Sequence, residues 1–183
     1  LENDWLCVIK DKGRVKNLCD QEGIHKLSGT IGIAHTRWAT HGKPYKENAH
    51  PHMDNSGTFA VVHNGIIENY QELKTFLTEK GYHFVSETDT ETIPNLIHYY
   101  YTQSKEKSFL SAVKTAIRDL KGSYAIEVIS SLFPEQIIVV RKDSPLVIGT
   151  AKGENYIASD IPAILPYTKD FYLLDDNEFA VIT

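Results

Sequence analysis

The chain has 183 residues, 42% of them hydrophobic and 23% charged, enough for one large domain that removes about 70% of its unfolded surface from water. Nineteen basic against 24 acidic residues give a net charge of −5, with no basic cluster longer than a pair, which argues against a nucleic-acid partner. No apolar run approaches the roughly 18 residues needed to span a bilayer, and the first residues lack the basic and apolar regions of a secretory signal, so no membrane association and a cytoplasmic location are expected.

Short strands open the chain. Trp5-Leu6-Cys7-Val8-Ile9 is an apolar run ended by Lys10-Asp11-Lys12-Gly13, and residues 30–38 and 58–63 are β-branched or apolar runs bounded by Gly, Asn and Asp, which predicts strands. Cys7 and Cys19 are too few and too close to staple a domain of this size, so both are expected as reduced thiols. From Asn69 to Lys80 the apolar residues Tyr70, Leu73, Phe76 and Leu77 recur at helical spacing, with Gly81 as the stop. A second helix is predicted to start near Thr88, where Thr88-x-x-Glu91 has the form of a capping box, and to run through Ile93, Leu96, Ile97 and Tyr100. A third carries the stripe Leu110, Val113, Ala116, Ile117, Leu120 and ends at Gly122. Strands follow at 124–129, 137–141, 146–150, 156–159, 171–174 and 179–182, separated by turn residues such as Asp143-Ser144-Pro145 and Lys152-Gly153-Glu154-Asn155. Connections this short force antiparallel pairing. With the helices clustered in mid-chain, the economical architecture is a single α+β domain, 1–183, of two antiparallel sheets face to face with helices outside.

Three segments carry potential chemistry. Arg37 follows the apolar run Ile31-Gly32-Ile33-Ala34, where a guanidinium at a strand end can either meet solvent or grip a carboxylate with two parallel hydrogen bonds. Trp38, Thr40 and His41 crowd the same turn and favour the second reading. His63-Asn64-Gly65 is either a two-residue hairpin turn or a pair of donors, an amide beside a Gly N–H, of the kind that builds an oxyanion hole. Asp89 either caps the predicted helix or supplies a counter-charge for a ligand ammonium. Five of the eight histidines, His35, His41, His50, His52 and His63, fall within 29 residues and invite a metal reading. Pro51 between two of them and the lack of a carboxylate pair weigh against it, and neither metal nor cofactor is expected.

The motifs His35-Thr36-Arg37-Trp38-Ala39-Thr40-His41-Gly42, Asn48-Ala49-His50-Pro51-His52, His63-Asn64-Gly65-Ile66-Ile67-Glu68-Asn69 and Ser86-Glu87-Thr88-Asp89-Thr90-Glu91 resemble the glutaminase domains of the glutamine–fructose-6-phosphate aminotransferase family, a branch of the class II amidotransferases. Residues 142–149 and 154–160 resemble them too, so the likeness covers nearly the whole chain. The resemblance implies the four-layer αββα sandwich of N-terminal-nucleophile hydrolases. It also implies hydrolysis of glutamine to glutamate, with ammonia passed to sugar-isomerase domains of the same polypeptide in a homodimeric enzyme.

Residue by residue, the resemblance gives Arg37 the α-carboxylate of glutamine and Asp89 its α-ammonium. Asn64, by its side chain, and Gly65, by its N–H, would form the oxyanion hole. Thr40 and His41 would line the pocket, and Trp38 would gate the ammonia passage. In the family the nucleophile is an N-terminal cysteine whose own α-amine takes the thiol proton. The chain begins at Leu1, so that strand is expected to precede it, and these residues alone are expected to form a glutamine pocket without turnover. The rival readings are another class II amidotransferase, such as the phosphoribosyl-pyrophosphate enzyme or asparagine synthetase, and a non-catalytic glutamine-binding module. The Trp after Arg37 and the Ser-Glu-Thr-Asp-Thr-Glu run favour the first reading.

Overall fold

A computed structural model of the chain describes residues 5–20, 23–37 and 43–183. Its centre is a nine-residue strand, β2 (Phe59–Ile67), paired antiparallel along its length with β3 (Gly122–Ser130), from Phe59 opposite Ser130 to Ile67 opposite Gly122. The sheet continues through β4 (Ile137–Lys142) to β8 (Phe179–Ile182) on one side and to the short β1 (His52–Met53) on the other, giving the order β1-β2-β3-β4-β8. A second, three-stranded sheet has the order β6-β5-β7, with β5 at Val147–Ala151, β6 at Glu154–Ala158 and β7 at Asp170–Leu173. All ladders in both sheets are antiparallel.

The period-two alternation of the strands divides the large sheet into two apolar faces. Phe59 and Val61 of β2, Tyr124, Ile126 and Val128 of β3, and Ile138 and Val140 of β4 face the helices. There they meet α2 (Tyr70–Glu79), α3 (Thr92–Gln103) and α4 (Phe109–Asp119), which bury Leu77, Ile97 and Ile117 among others. Each such side chain contributes about 1.5–3 kcal/mol on leaving water. On the opposite face Ala125 and Val139 pack against Ile148 of the second sheet and Leu146 just before its strand β5. The outer side of that sheet receives a short helix, α5 (Ile161–Ile164), whose Ile164 lies so close to Gly149 that a Cβ there would come within 2.5 Å of it. Helices, large sheet, small sheet and short helix form four layers, and the expected α+β sandwich of antiparallel sheets is borne out.

Several local expectations are corrected. Residues 5–10 and 30–37 run without regular strand pairing, apart from an isolated bridge at Trp5. The alternation of residues 31–37 between half-buried and exposed is that of a strand, but a ladder needs a partner backbone in register as well as a pattern. Lys10 fastens the first segment instead, donating through Nζ to the carbonyls of Ala49 and Pro51 at 2.9 and 3.1 Å. The Thr88-Glu91 capping box does not form. Helix α3 starts at Thr92 without a side-chain cap, because the Glu91 carboxylate turns back to accept from the N–H groups of Val85 and Ser86 and from the Ser86 hydroxyl. Gly122 opens β3 and does not end α4, which stops at Asp119. Helix α5, β1 and a short helix at Val15–Cys19 (α1) have no counterpart in the sequence reading. Among the described residues no helix is long and apolar enough to cross a membrane.

Candidate active site

Asn64 and Gly65 are not a hairpin turn. They lie inside β2, opposite Ala125 and Tyr124, which removes the simpler of the two sequence readings. Gly65 adopts φ +124°, outside ordinary strand geometry, and a Cβ at this position would sit 2.1 Å from the Ser123 carbonyl oxygen. Only glycine tolerates both the dihedral and the approach. This close approach falls next to Asn64, whose amide side chain is exposed and borders the cavity between the sheets.

That amide meets His35. The extended segment 31–37 passes beside β2 and sets His35 Nε2 2.8 Å from Asn64 Oδ1. Together they border a cavity of about 430 Å³ between the two sheets, which Glu127 of β3 and Asn155 and Ser159 near β6 also line. This volume lies in the lower part of the range typical of small-molecule sites. Burial pushes the Glu127 carboxyl up to about 7, so the cavity contains a group that titrates near neutrality.

Behind His35 lies a cluster of buried histidines. The His35 and His50 rings stack with centroids 4.0 Å apart. His50 Nδ1 accepts from the His63 N–H at 3.4 Å, and its Nε2 faces the Thr90 hydroxyl at 3.3 Å. Thr90 in turn reaches His63 Nδ1 at 3.0 Å. His52 bonds Thr88, which bonds Ser86, whose hydroxyl must donate to the Glu91 carboxylate at 2.6 Å because a carboxylate only accepts. Burial is the first cause of lowered pKa values throughout: His35 is lowered, His50 is lowered, His52 falls to about 3, and His63 to about 4, the last against the raising influence of Asp89. The whole cluster is neutral at pH 7. Of the histidines that invited a metal reading, His50, His52 and His63 are engaged with the hydroxyls of Thr88 and Thr90 and His35 with Asn64, His41 lies outside the described residues, and among the described residues no cluster has metal-binding geometry.

The two charges singled out in the sequence flank this cluster. Arg37, half-buried, lies with His35, Thr36 and His50 around a second, smaller cavity, and its charge acts on His35, His50 and His52. Asp89 is buried, and its carboxylate accepts from the Ile67 N–H at 2.8 Å at the end of β2. Its charge acts on His63. Asp89 is thus a buried anion held by main chain at the end of the strand that bears Asn64, rather than a helix cap. Trp38, Thr40 and His41 lie outside the described residues. Cys7 lines a separate groove with Leu27, Gly29 and Ile31, and Cys19 is exposed on α1. Neither borders the cavity at Asn64.

Glu127, Asn155 and Ser159 were not anticipated as parts of a site. For His35 a signal did exist: it stands two positions before Arg37, so in an extended chain both side chains leave the same face.

A family model described as a glutamine amidotransferase domain matches residues 35–166. The chain is 53% identical over all 183 residues to a glutamine–fructose-6-phosphate aminotransferase (isomerizing) of Clostridium tetani. It is 50% identical over 183 residues to one of Aquifex aeolicus and 50% identical over 175 residues to one of Methanothermobacter thermautotrophicus. It spans 29–30% of the length of these curated relatives. Among solved structures, the Bacillus subtilis glutamine phosphoribosylpyrophosphate amidotransferase in complex with ADP and GMP superposes with a TM-score of 0.66 at 27% identity, over 80% of this chain and 31% of that one.

Proposed function

The chain belongs to the glutamine amidotransferase family, and from that premise we propose that residues 1–183 are the glutaminase domain of a longer enzyme that moves ammonia from glutamine to fructose 6-phosphate. The observation that carries the reading is the amide of Asn64, presented from β2 into a cavity between the sheets, with the charges of Arg37 and Asp89 acting on the neutral histidine cluster beside it.

In this reading glutamine enters as a zwitterion. The Arg37 guanidinium takes the α-carboxylate, for which its planar fork is suited, and Asp89 takes the α-ammonium. Trp38, Thr40 and His41 complete the pocket. When a thiol attacks the side-chain carboxamide, the carbonyl oxygen gains negative charge, and Asn64 Nδ2 with the Gly65 N–H stabilise it. One such donor is worth about 10²–10³ in turnover. Neutrality of the surrounding imidazoles serves this arrangement, since an imidazolium beside Arg37 would weaken its hold on the carboxylate by competing for it. The products are glutamate and ammonia, with sugar-isomerase domains of the parent polypeptide receiving the ammonia in a cytoplasmic homodimer.

The assay is glutamate release from glutamine by the full-length protein that carries this domain, with and without fructose 6-phosphate. Formation of glucosamine 6-phosphate is the expected outcome. Absence of glutamate release refutes the glutaminase reading, and ammonia transfer to phosphoribosyl pyrophosphate in place of the sugar phosphate would establish the rival class II reading. The difference between 53% and 27% identity favours the sugar phosphate.

A further inference from the structure

We propose that His35 is a positioning residue for the oxyanion donor: its Nε2–H donates to Asn64 Oδ1 and so aims the Asn64 Nδ2 amide at the reacting carbonyl oxygen. The inference rests on the glutaminase reading and assigns a role to a side chain that does not itself touch glutamine.

A primary carboxamide is nearly symmetric in shape and opposite in polarity at its two ends. Turned one way Asn64 offers two N–H donors to a developing anion; turned the other it offers lone pairs, which repel it. Asn64 sits exposed on its strand, so packing alone does not select one orientation. A hydrogen bond at the oxygen end does. His35 Nε2 lies 2.8 Å from Oδ1, a good donor–acceptor distance.

The tautomer follows from the surroundings of the ring. Burial keeps the imidazole neutral, so it carries one proton, while Asn64 and the His63 carbonyl both favour a proton on it. Nδ1 is buried without a hydrogen-bond partner, and a proton placed there would be an orphaned donor, the costlier kind of unpaired group. At Nε2 an acceptor is waiting. The ring is also held in place: it stacks on His50 at 4.0 Å, and His50 is fixed at both nitrogens by the His63 N–H and the Thr90 hydroxyl. The device is therefore a neutral imidazole, clamped from behind, whose single N–H decides which end of an amide faces the cavity.

The test is steady-state glutamine hydrolysis by the full-length enzyme and four variants: His35→Leu, His35→Gln, Asn64→Ala and the double variant His35→Leu/Asn64→Ala. Leucine removes the donor while keeping bulk, and glutamine restores an N–H at similar reach. His35→Leu is expected to lower kcat at least about twofold, the share lost when the two amide orientations become equally populated, with the glutamine KM changed less than kcat. His35→Gln recovers most of the loss. In the Asn64→Ala background His35→Leu costs nothing further, because the group it orients is gone.

A wild-type kcat in His35→Leu, an equal defect in His35→Gln, or an undiminished effect in the double variant each overturns the positioning role while leaving the glutaminase reading intact. A wild-type enzyme that releases no glutamate overturns both. Should His35→Leu fail to fold, His35→Glu set against His35→Gln makes the same comparison at one shape: the ionised carboxylate cannot donate, so equal kcat values for this pair overturn the proposal.

Discussion

Lowering the pH from 7 to 5 should destabilise this domain by about 4 kcal/mol, and replacing Glu127 by glutamine should deepen the loss to about 6. The buried histidines set the first term. A histidine whose folded pKa lies below its unfolded 6.5 contributes stability that is complete above 6.5 and is lost as the pH falls toward the folded value, since the unfolded chain takes up protons first. His52 titrates in the fold at about 3 and His63 at about 4, and His50 is lowered too, all primarily by burial. At pH 5 each costs about 2 kcal/mol, or about 6 together if they act independently. Glu127 acts in the opposite sense. Its folded pKa of about 7 stands above the ordinary 4.5, so the folded state binds the proton first, and acidification from pH 7 to 5 returns about 2 kcal/mol. The assay is urea unfolding of the 183-residue chain at both pH values. With a slope of about 2 kcal/mol per molar urea, the wild-type midpoint should fall by about 2 M and that of Glu127→Gln by about 3 M. Equal midpoints at pH 7 and 5, or a Glu127→Gln variant that falls no further than wild type, would refute the reasoning.

Two further outcomes follow from the site and its scaffold. Arg37→Ala in the full-length enzyme should lower kcat/KM for glutamine by the equivalent of about 2–5 kcal/mol, the cost of leaving a desolvated carboxylate unpaired, while the KM for the sugar phosphate stays unchanged; an unaltered glutamine KM and turnover would remove Arg37 from the carboxylate site. Gly65→Ala should cost about 2–5 kcal/mol of stability, because the new methyl meets the Ser123 carbonyl at 2.1 Å in a backbone region closed to L-residues. Gly57→Ala shares the positive φ but has only a flexible Met53 side chain nearby, at 3.5 Å, and should cost about 1–2 kcal/mol by the same urea assay; equal losses would show that contact with Ser123 does not matter.

The second half of the fold was legible in the sequence because its signals are local. Six apolar, largely β-branched runs separated by Pro, Gly, Asn and Asp turns became β3 to β8, and Phe179–Ile182 fell on its expected bounds. Among the described residues, the stretches 5–9 and 30–37 were not legible, because they have strand composition and yet lack regular ladder partners. Composition reports whether a segment would pack well in a sheet; register with a neighbouring backbone is a long-range property that no window of nine residues contains. The capping box failed for a related reason. Thr88 and Glu91 had the right spacing to serve α3, but the preceding loop offers the Glu91 carboxylate three donors at once, the N–H groups of Val85 and Ser86 and the Ser86 hydroxyl, and the carboxylate went there.

At the site, residue types were legible and orientations were not. Pattern identified Asn64-Gly65 as either a turn or a donor pair, and β3, sixty residues downstream, excludes the turn: pairing with Tyr124 and Ala125 holds the dipeptide inside a strand, and the approach of Ser123 explains why the second residue is glycine. Asp89 shows the same limit. Its charge was expected at a helix start, whereas the carboxylate is anchored on the Ile67 N–H at the far end of the Asn64 strand, so one strand carries the amide and orders the anion. A strand whose neighbour forbids a side chain, with a charged group fixed at its end and a neutral imidazole beside its amide, is preorganised: its donors and dipoles are placed before any ligand arrives. Electrostatic stabilisation of a transient anion depends on that property more than on which residues are present. It resides in backbone pairing, which is why the chemistry could be named from the sequence while the machinery that aims it could not.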